Sequence, residues 1–337
     1  MQLTSYELIP QISELPEVKK VSDLILSGDF TLSPAEVFTS LINTFFSEFR
    51  DLSRYLVIFI SLGLLTTVLD LYGKNKTSDI GDISFYAVYA GIASVGIQCY
   101  CTCLEYATNV IGEMTDFVTK ISPILTTLIL TSGKTVTASA FHPVLSAGVY
   151  IITVICKKCI LPLASYSVIM AVADNIGDKM RMSGFCKLLN STSKWIMTLM
   201  FTVFTGICAI YGFSAPHLDV LGVKTVKFAV GSLIPVVGGF LAETLETVVS
   251  GAGLMKNTIG VAGLVVMCTI CFIPIVKIGV MALMVRLCAA VTEAVSDKRV
   301  SSFLNSISSS ITTLFGMVAT VAVLFIINIS IIMAATG

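Results

Sequence analysis

Residues 123–162, PILTTLILTSGKTVTASAFHPVLSAGVYIITVICKKCILP, decide how this chain is read, because residues 235–274, PVVGGFLAETLETVVSGAGLMKNTIGVAGLVVMCTICFIP, repeat them. At an offset of 112 residues, Pro123 falls on Pro235, Thr135-Val136 on Thr247-Val248 and Ala140 on Ala252. Gly148-Val149 falls on Gly260-Val261, Cys156 on Cys268, Cys159 on Cys271 and Pro162 on Pro274. After a slip of three the match resumes at an offset of 115, where Leu189-Asn190-Ser191 meets Leu304-Asn305-Ser306 and Thr198-Leu199 meets Thr313-Leu314. Apolar segments resemble one another by composition alone, but prolines, glycines and cysteines held in one register mark an internal duplication. Both copies contain apolar segments broken by Pro and Gly, which in membrane proteins point to a transport site.

Composition sets the class. Hydrophobic residues make up 55% of the 337 and charged residues 12%, with a mean hydropathy of +0.92. A soluble domain carries about twice that charge. The apolar residues come in runs near the length of a bilayer crossing, and they do not alternate as barrel strands do. The expected fold is therefore all-α: a polytopic integral membrane protein with about six transmembrane helices and two re-entrant half-helices. Formal net charge is zero, so charge gives no reason to expect nucleic acid as a partner. The lipid bilayer is the implied partner. No secretory signal is visible at the start of the chain.

Taken in order, residues 1–51 form an N-terminal extramembrane segment. Within it Ser33, Pro34 and Glu36 make a capping box that starts an amphipathic helix over 33–50. That helix either lies in the membrane interface or packs on a partner protein. Residues 52–120 hold the first two spans, Leu52 to Tyr72 and Ile83 to Leu104. Repeat A covers 121–214. It opens with Ile121 to Thr131, too short to cross alone and read as re-entrant, and continues through spans at Val144 to Ala173 and Trp195 to Phe213. Repeat B covers 233–335, with a broken segment at Leu233 to Leu241 and spans at Thr258 to Val285 and Thr313 to Ala334. With six crossings, loops 74–82, 174–194 and 286–312 share one side and hold nine Lys or Arg. The opposite side spreads a similar number over more than twice the length, so the positive-inside tendency places these connectors in the cytoplasm. Two crossings per repeat make the repeats parallel; a crossing at Ile121 would invert them.

The candidate pathway residues are Pro123, His142, Pro143, Pro235, Gly238, Gly239, Glu243 and Lys277. The prolines and glycines would break helices and expose carbonyls; the same residues also let helices approach closely. His142 would stand at the mouth of the first broken segment, or serve there as a cap. Lys277 lies inside an apolar run, where a cation needs water or a counter-charge, and Glu243 and Glu246 are the counter-charges considered. Lys157-Lys158 reads as a pair snorkelling to an interface. The two C-x-x-C pairs would suggest zinc in a soluble protein, but inside spans they read as packing residues, and Lys157-Lys158 opposes a cation there. Cys99, Cys101 and Cys103, two apart, point in different directions. No nucleophile–base pair, phosphate loop or acid/base carboxylate pair is present, so nothing supports an enzyme, a cofactor or a metal.

Three ordered motifs carry a resemblance. Ser139-Ala140-Phe141-His142-Pro143-Val144, Gly231-Ser232-Leu233-Ile234-Pro235-Val236-Val237-Gly238 and Lys256-Asn257-Thr258-Ile259-Gly260-Val261-Ala262-Gly263 resemble the stage III sporulation protein AE family of endospore-forming bacteria. The resemblance covers about residues 34 to 337, and it departs at the start, where members of that family often carry a cleavable signal. It implies a multi-pass protein of the mother-cell membrane around the engulfed forespore. It also implies a secretion-like complex with an ATPase and ring-forming subunits from one sporulation operon, meeting a forespore membrane protein across the intermembrane space. The implied function is to line or form a conduit needed for late forespore gene expression. The alternatives are a non-conducting scaffold that anchors the ring and the ATPase, and a stand-alone small-molecule transporter.

Overall fold

A computed structural model describes residues 34–73, 78–131, 146–174, 182–212, 258–295 and 298–336. These residues are almost entirely helical, and no strand occurs among them. Six helices follow in order: α1 (Pro34–Gly73), α2 (Ser78–Thr131), α3 (146–174), α4 (Ser183–Gly212), α5 (Thr258–Val295) and α6 (Lys298–Thr336). Five are long and apolar enough to cross a membrane: α1, α2, α3, α5 and α6. The remaining helix, α4, carries Lys187 and Lys194 in its first half and an apolar run from Trp195 onward.

Two helices are longer than their sequence suggests. The amphipathic segment expected over 33–50 is the first part of α1, which runs on unbroken into the first span. No Gly or Pro lies between Pro34 and Gly63, so nothing there lets a flat-lying segment turn into a crossing one. Likewise Ile121–Thr131 is the C-terminal end of α2, a single helix of 54 residues. A lone Gly112 is tolerated inside a helix, and Pro123 withholds only one N–H, that for the Thr119 carbonyl. The domain boundaries expected at 51 and at 120 therefore fall inside continuous helices. At 1.5 Å per residue α2 is ~81 Å long, well over twice the hydrocarbon thickness.

Helix α6 is the axis of the bundle. It packs against α5, α2, α4 and α3, and 56% of its most apolar window is buried, against 17–39% for the other spans. Its buried stripe runs Val300, Phe303, Leu304, Ile307, Ile311, Leu314, Val318, Val321 and Phe325. Apart from the adjacent Phe303 and Leu304, steps of three and four put these on neighbouring turns of one helix. Phe303 meets Tyr89 of α2 edge to face at 5.5 Å, and Arg299 stacks over Phe85 at 3.9 Å. Gly148 of α3 makes room for the Phe204 ring of α4, and Gly279 of α5 for the Phe315 ring of α6.

Side-chain pairs fix the direction of each helix. Helices α2 and α3 are antiparallel: Thr115 meets Thr153 at 2.8 Å, Tyr100 meets Ser165 at 3.0 Å, and the Tyr89 hydroxyl donates to the Val172 carbonyl. The α3–α4 turn is closed by Asp174, whose carboxylate accepts the N–H groups of Met182 and Ser183 at the start of α4. That is an N-terminal cap supplied across the loop, with its negative charge at the positive end of the helix dipole. Asn190 of α4 lies beside Ser310 and Thr313 of α6, and Met197 beside Gly316. Helices α4 and α6 thus run the same way, and the two repeat hairpins, α3–α4 and α5–α6, are parallel.

Candidate functional site

Among the described residues, three groupings of polar side chains stand out, two clusters and one flank. In the first cluster the Lys277 amine of α5 lies 3.4 Å from Glu48 Oε1 of α1 and 5.4 Å from the centre of the Tyr106 ring of α2. Lys277 is 14 residues from the start and 17 from the end of the candidate span Gly263–Ala294. That places it midway along the apolar part of α5, while Glu48 lies three residues from the start of the candidate span Phe45–Leu69. An unpaired Lys within hydrocarbon costs about 3 kcal/mol on insertion scales. Glu48 and Tyr106 offset this cost with a charge and a ring face. The pair is not sealed, since the Lys277 side chain is 30% exposed and that of Glu48 20%. Helices α1, α2 and α5, which all pack on one another, meet here.

The second cluster is closed. Asn190 donates to Ser167 at 2.8 Å and to Ser310 at 3.5 Å, and its carbonyl accepts from Thr313 at 3.1 Å. Ser310 also donates to Ser167, whose hydroxyl reaches the Cys186 carbonyl. Ser167, Asn190, Ser310 and Thr313 are all buried. Each finds its partner inside the network, which is the requirement for polar groups where water is absent. The cluster joins α3, α4 and α6.

The flank belongs to α2. Ser94, Gln98, Glu105, Asn109, Glu113, Asp116 and Lys120 are all exposed, and their steps of four, seven, four, four, three and four align them along one side. Pro123, also exposed, continues the same line. The opposite side of α2 is the buried run Cys99, Cys103, Ala107, Val110, Met114 and Val118. Lys157 of α3 borders the flank, its amine 3.8 Å from the Cβ position of Gly112. It sits in a π-helical turn, Cys156–Ile160, that interrupts α3, and π-turns inside helices recur at functional sites.

The sequence-derived candidates fare unequally. Lys277 has its counter-charge, but the partner is Glu48, from the segment read as extramembrane. Pro123 is on the α2 flank, away from Lys277. His142, Pro143, Pro235, Gly238, Gly239, Glu243 and Glu246 lie outside the described residues. Among the described residues no group of three or more His, Cys, Asp and Glu side chains could hold a metal ion. Cys156 and Cys271 are buried while Cys159 is exposed, so the C-x-x-C pairs do not present matched thiols. Cys99 and Cys103 do share a face, four residues apart and both buried. Sequence reading passed over Glu48, Tyr106 and the α2 flank. The steps of three and four among the polar residues from Ser94 to Lys120 were the available signal.

Comparison with known proteins agrees with the motifs. A family model described as stage III sporulation protein AE matches residues 17–336. The stage III sporulation protein AE of Bacillus subtilis (strain 168) is 27% identical over 323 residues, spanning 95% of this chain and 81% of that protein. No solved structure matches.

Proposed function

This chain belongs to the stage III sporulation protein AE family, and from that premise we propose that it is a membrane subunit of a conduit between mother cell and forespore. It acts there with the ATPase and ring-forming subunits of the same operon, faces a forespore membrane protein, and performs no catalysis itself. Its place is the mother-cell membrane, and the passage it lines sustains late forespore gene expression. What carries the reading is the Lys277–Glu48 pair: a half-buried ion pair whose lysine stands midway along the apolar span of α5. Charges at that depth are found where they face a protein interior or a water-filled path, and the partial exposure of both side chains fits the path.

Thiol labelling in membranes of sporulating cells tests this. In a chain with its native cysteines replaced, Lys277→Cys and Tyr106→Cys should react with a small water-soluble reagent in the assembled complex. Leu199→Cys and Val203→Cys, exposed on the apolar side of α4, should not. Lys277→Cys labelling no faster than those controls would mean a dry interior, and the non-conducting scaffold would replace the conduit. That second reading draws on the length of α1 and α2, which reach past a bilayer and offer surface for docking the ring and the ATPase.

A further inference from the structure

Lys277 has a counterpart in the other copy of the repeat. At the offset of 112 residues that carries Pro162 onto Pro274, Ser165 of α3 stands where Lys277 stands in α5. Each meets a tyrosine of α2. Ser165 pairs with the Tyr100 hydroxyl at 3.0 Å, and the Lys277 amine lies over the Tyr106 ring. A small hydroxyl therefore satisfies this position in one copy, and the repeat pattern does not call for a charge. A lysine in an apolar run is unfavourable unless an anion answers it, so its presence points to the anion.

The anion beside it, Glu48, is lightly held. It lies three residues from the start of the candidate span Phe45–Leu69. From Asn43 to Arg50 no described side chain of α1 is buried, whereas Phe59, Gly63 and Thr66 are. Glu48 stands 11 residues before Phe59, a lever of ~16 Å in an unbroken helix. A tilt of α1 by about 15° around Phe59 moves Glu48 ~4 Å, enough to part it from Lys277. Segments with few buried side chains are the ones that open at low cost. The Lys277 side chain is 30% exposed even with Glu48 in place, so an incoming group has access to the amine.

We infer that Lys277 is an anion site and that the Glu48 carboxylate is its internal stand-in. A carboxylate or phosphate on a ligand takes the place of Glu48 beside the amine, and α1 tilts away. One charge-assisted contact replaces another, so the exchange is reversible. The anion binds only where Glu48 has left, and that difference in affinity is what shifts α1. The inference deepens the conduit reading and rests on it for the arrival of a water-borne anion; a lipid headgroup needs no such path.

An interspin distance tests it. Full-length chain with its native cysteines replaced carries spin labels at Phe46→Cys in α1 and Ile273→Cys in α5, both exposed positions, in lipid nanodiscs. Acetate is the water-borne probe, with acetamide at matched ionic strength as its uncharged control. Phosphatidylglycerol in place of phosphatidylcholine is the lipid-borne probe. An anion that displaces Glu48 should raise the longer-distance population about fivefold, the factor carried by an ion pair of modest strength, and the arm that responds names the source. Glu48→Gln should raise the same population with no anion added. Glu48→Leu with Lys277→Met removes both charges, and should keep α1 in place and abolish the response to either anion. Two results overturn the inference: distances that neither anion changes, or a change that acetamide or the uncharged double variant reproduces. Its failure is distinct from that of the conduit. Lys277→Cys that labels from water in a chain whose α1 ignores both anions removes the anion site and leaves the conduit. A response to phosphatidylglycerol where Lys277→Cys stays unlabelled supports the anion site and removes the conduit.

Discussion

Leu188 in α4 and Phe303 in α6 hold equivalent positions in the two copies of the repeat, yet Leu188 is 58% exposed and Phe303 fully buried. Val203 and Val318 differ in the same way, at 52% and 0%. Thr198 is exposed, while Thr313 is buried and donates to Asn190. Asn190 is the hub of a closed network; its counterpart Asn305 is exposed. The C-x-x-C segments diverge too. In α3 the turn Cys156–Ile160 is π-helical and carries two exposed lysines, whereas Cys268 to Cys271 lies in unbroken α-helix. One pattern has thus served as an axis in α5–α6 and as an outer wall in α3–α4. A duplicated sequence fixes helices and turns; how many neighbours a copy receives decides which of its residues form a core.

That contrast can be broken by substitution at equivalent sites, read as thermal unfolding in a fixed detergent. The largest gap belongs to Phe303→Ala, which leaves a cavity beside Tyr89 at a cost of about 3 kcal/mol, against less than about 0.5 kcal/mol for Leu188→Ala. If the two variants melted alike, α6 would not be the axis. Next come two glycines that are not repeat equivalents but that each make room for a ring of the neighbouring helix in their hairpin. A Cβ at Gly148 would stand 2.6 Å from the Phe204 ring, and at Gly279 it would stand 3.1 Å from the Phe315 ring. Gly148→Ala should therefore cost about 1–2 kcal/mol and Gly279→Ala less, the reverse order counting against these packings. Asn190→Ala strands its partners and should cost about 1 kcal/mol, with Asn305→Ala near zero. Smallest of all, Lys157→Thr with Lys158→Ile gives α3 the sequence of its counterpart and should move stability by no more than about 0.5 kcal/mol. A larger loss would assign the lysines a structural part in the π-turn.

The apolar runs told the class and five of the expected crossings, because a 20-residue hydrophobic window survives averaging; the expected span from Trp195 to Phe213 lies in α4, which is not among the candidate spans of the described residues. Averaging also hid what lies within α2. Glu105, Glu113, Asp116 and Lys120 lowered the hydropathy after Leu104, so one long helix read as a span, a link and a half-helix. Their spacing, which puts them on one side, is invisible to a mean. The cysteines misled for a related reason: Cys99 and Cys101 diverge, while Cys99 and Cys103 share a face. Lys277 was legible as a charge in need of a partner. Glu48, in a different helix and more than two hundred residues away, could not be found from local pattern. Asn190 was legible as a repeat position but not as a hub, because its counterpart Asn305 shows that the same residue in the same register need not be one.

The unbroken length of α2 has a consequence for how this chain can change. A helix is a screw, and each residue removed near Ser78 turns everything after it by about 100° and draws it back ~1.5 Å. Loss of one residue would swing Glu105 and Glu113 off their flank and bring the Cys99–Cys103 face out of the core. Loss of seven would return every face to within about 20° of where it began, some 10 Å lower. The helix therefore tolerates shortening in heptads far better than in single residues. Its lengths are quantised by phase, and insertion and deletion are coarse-grained along this stretch.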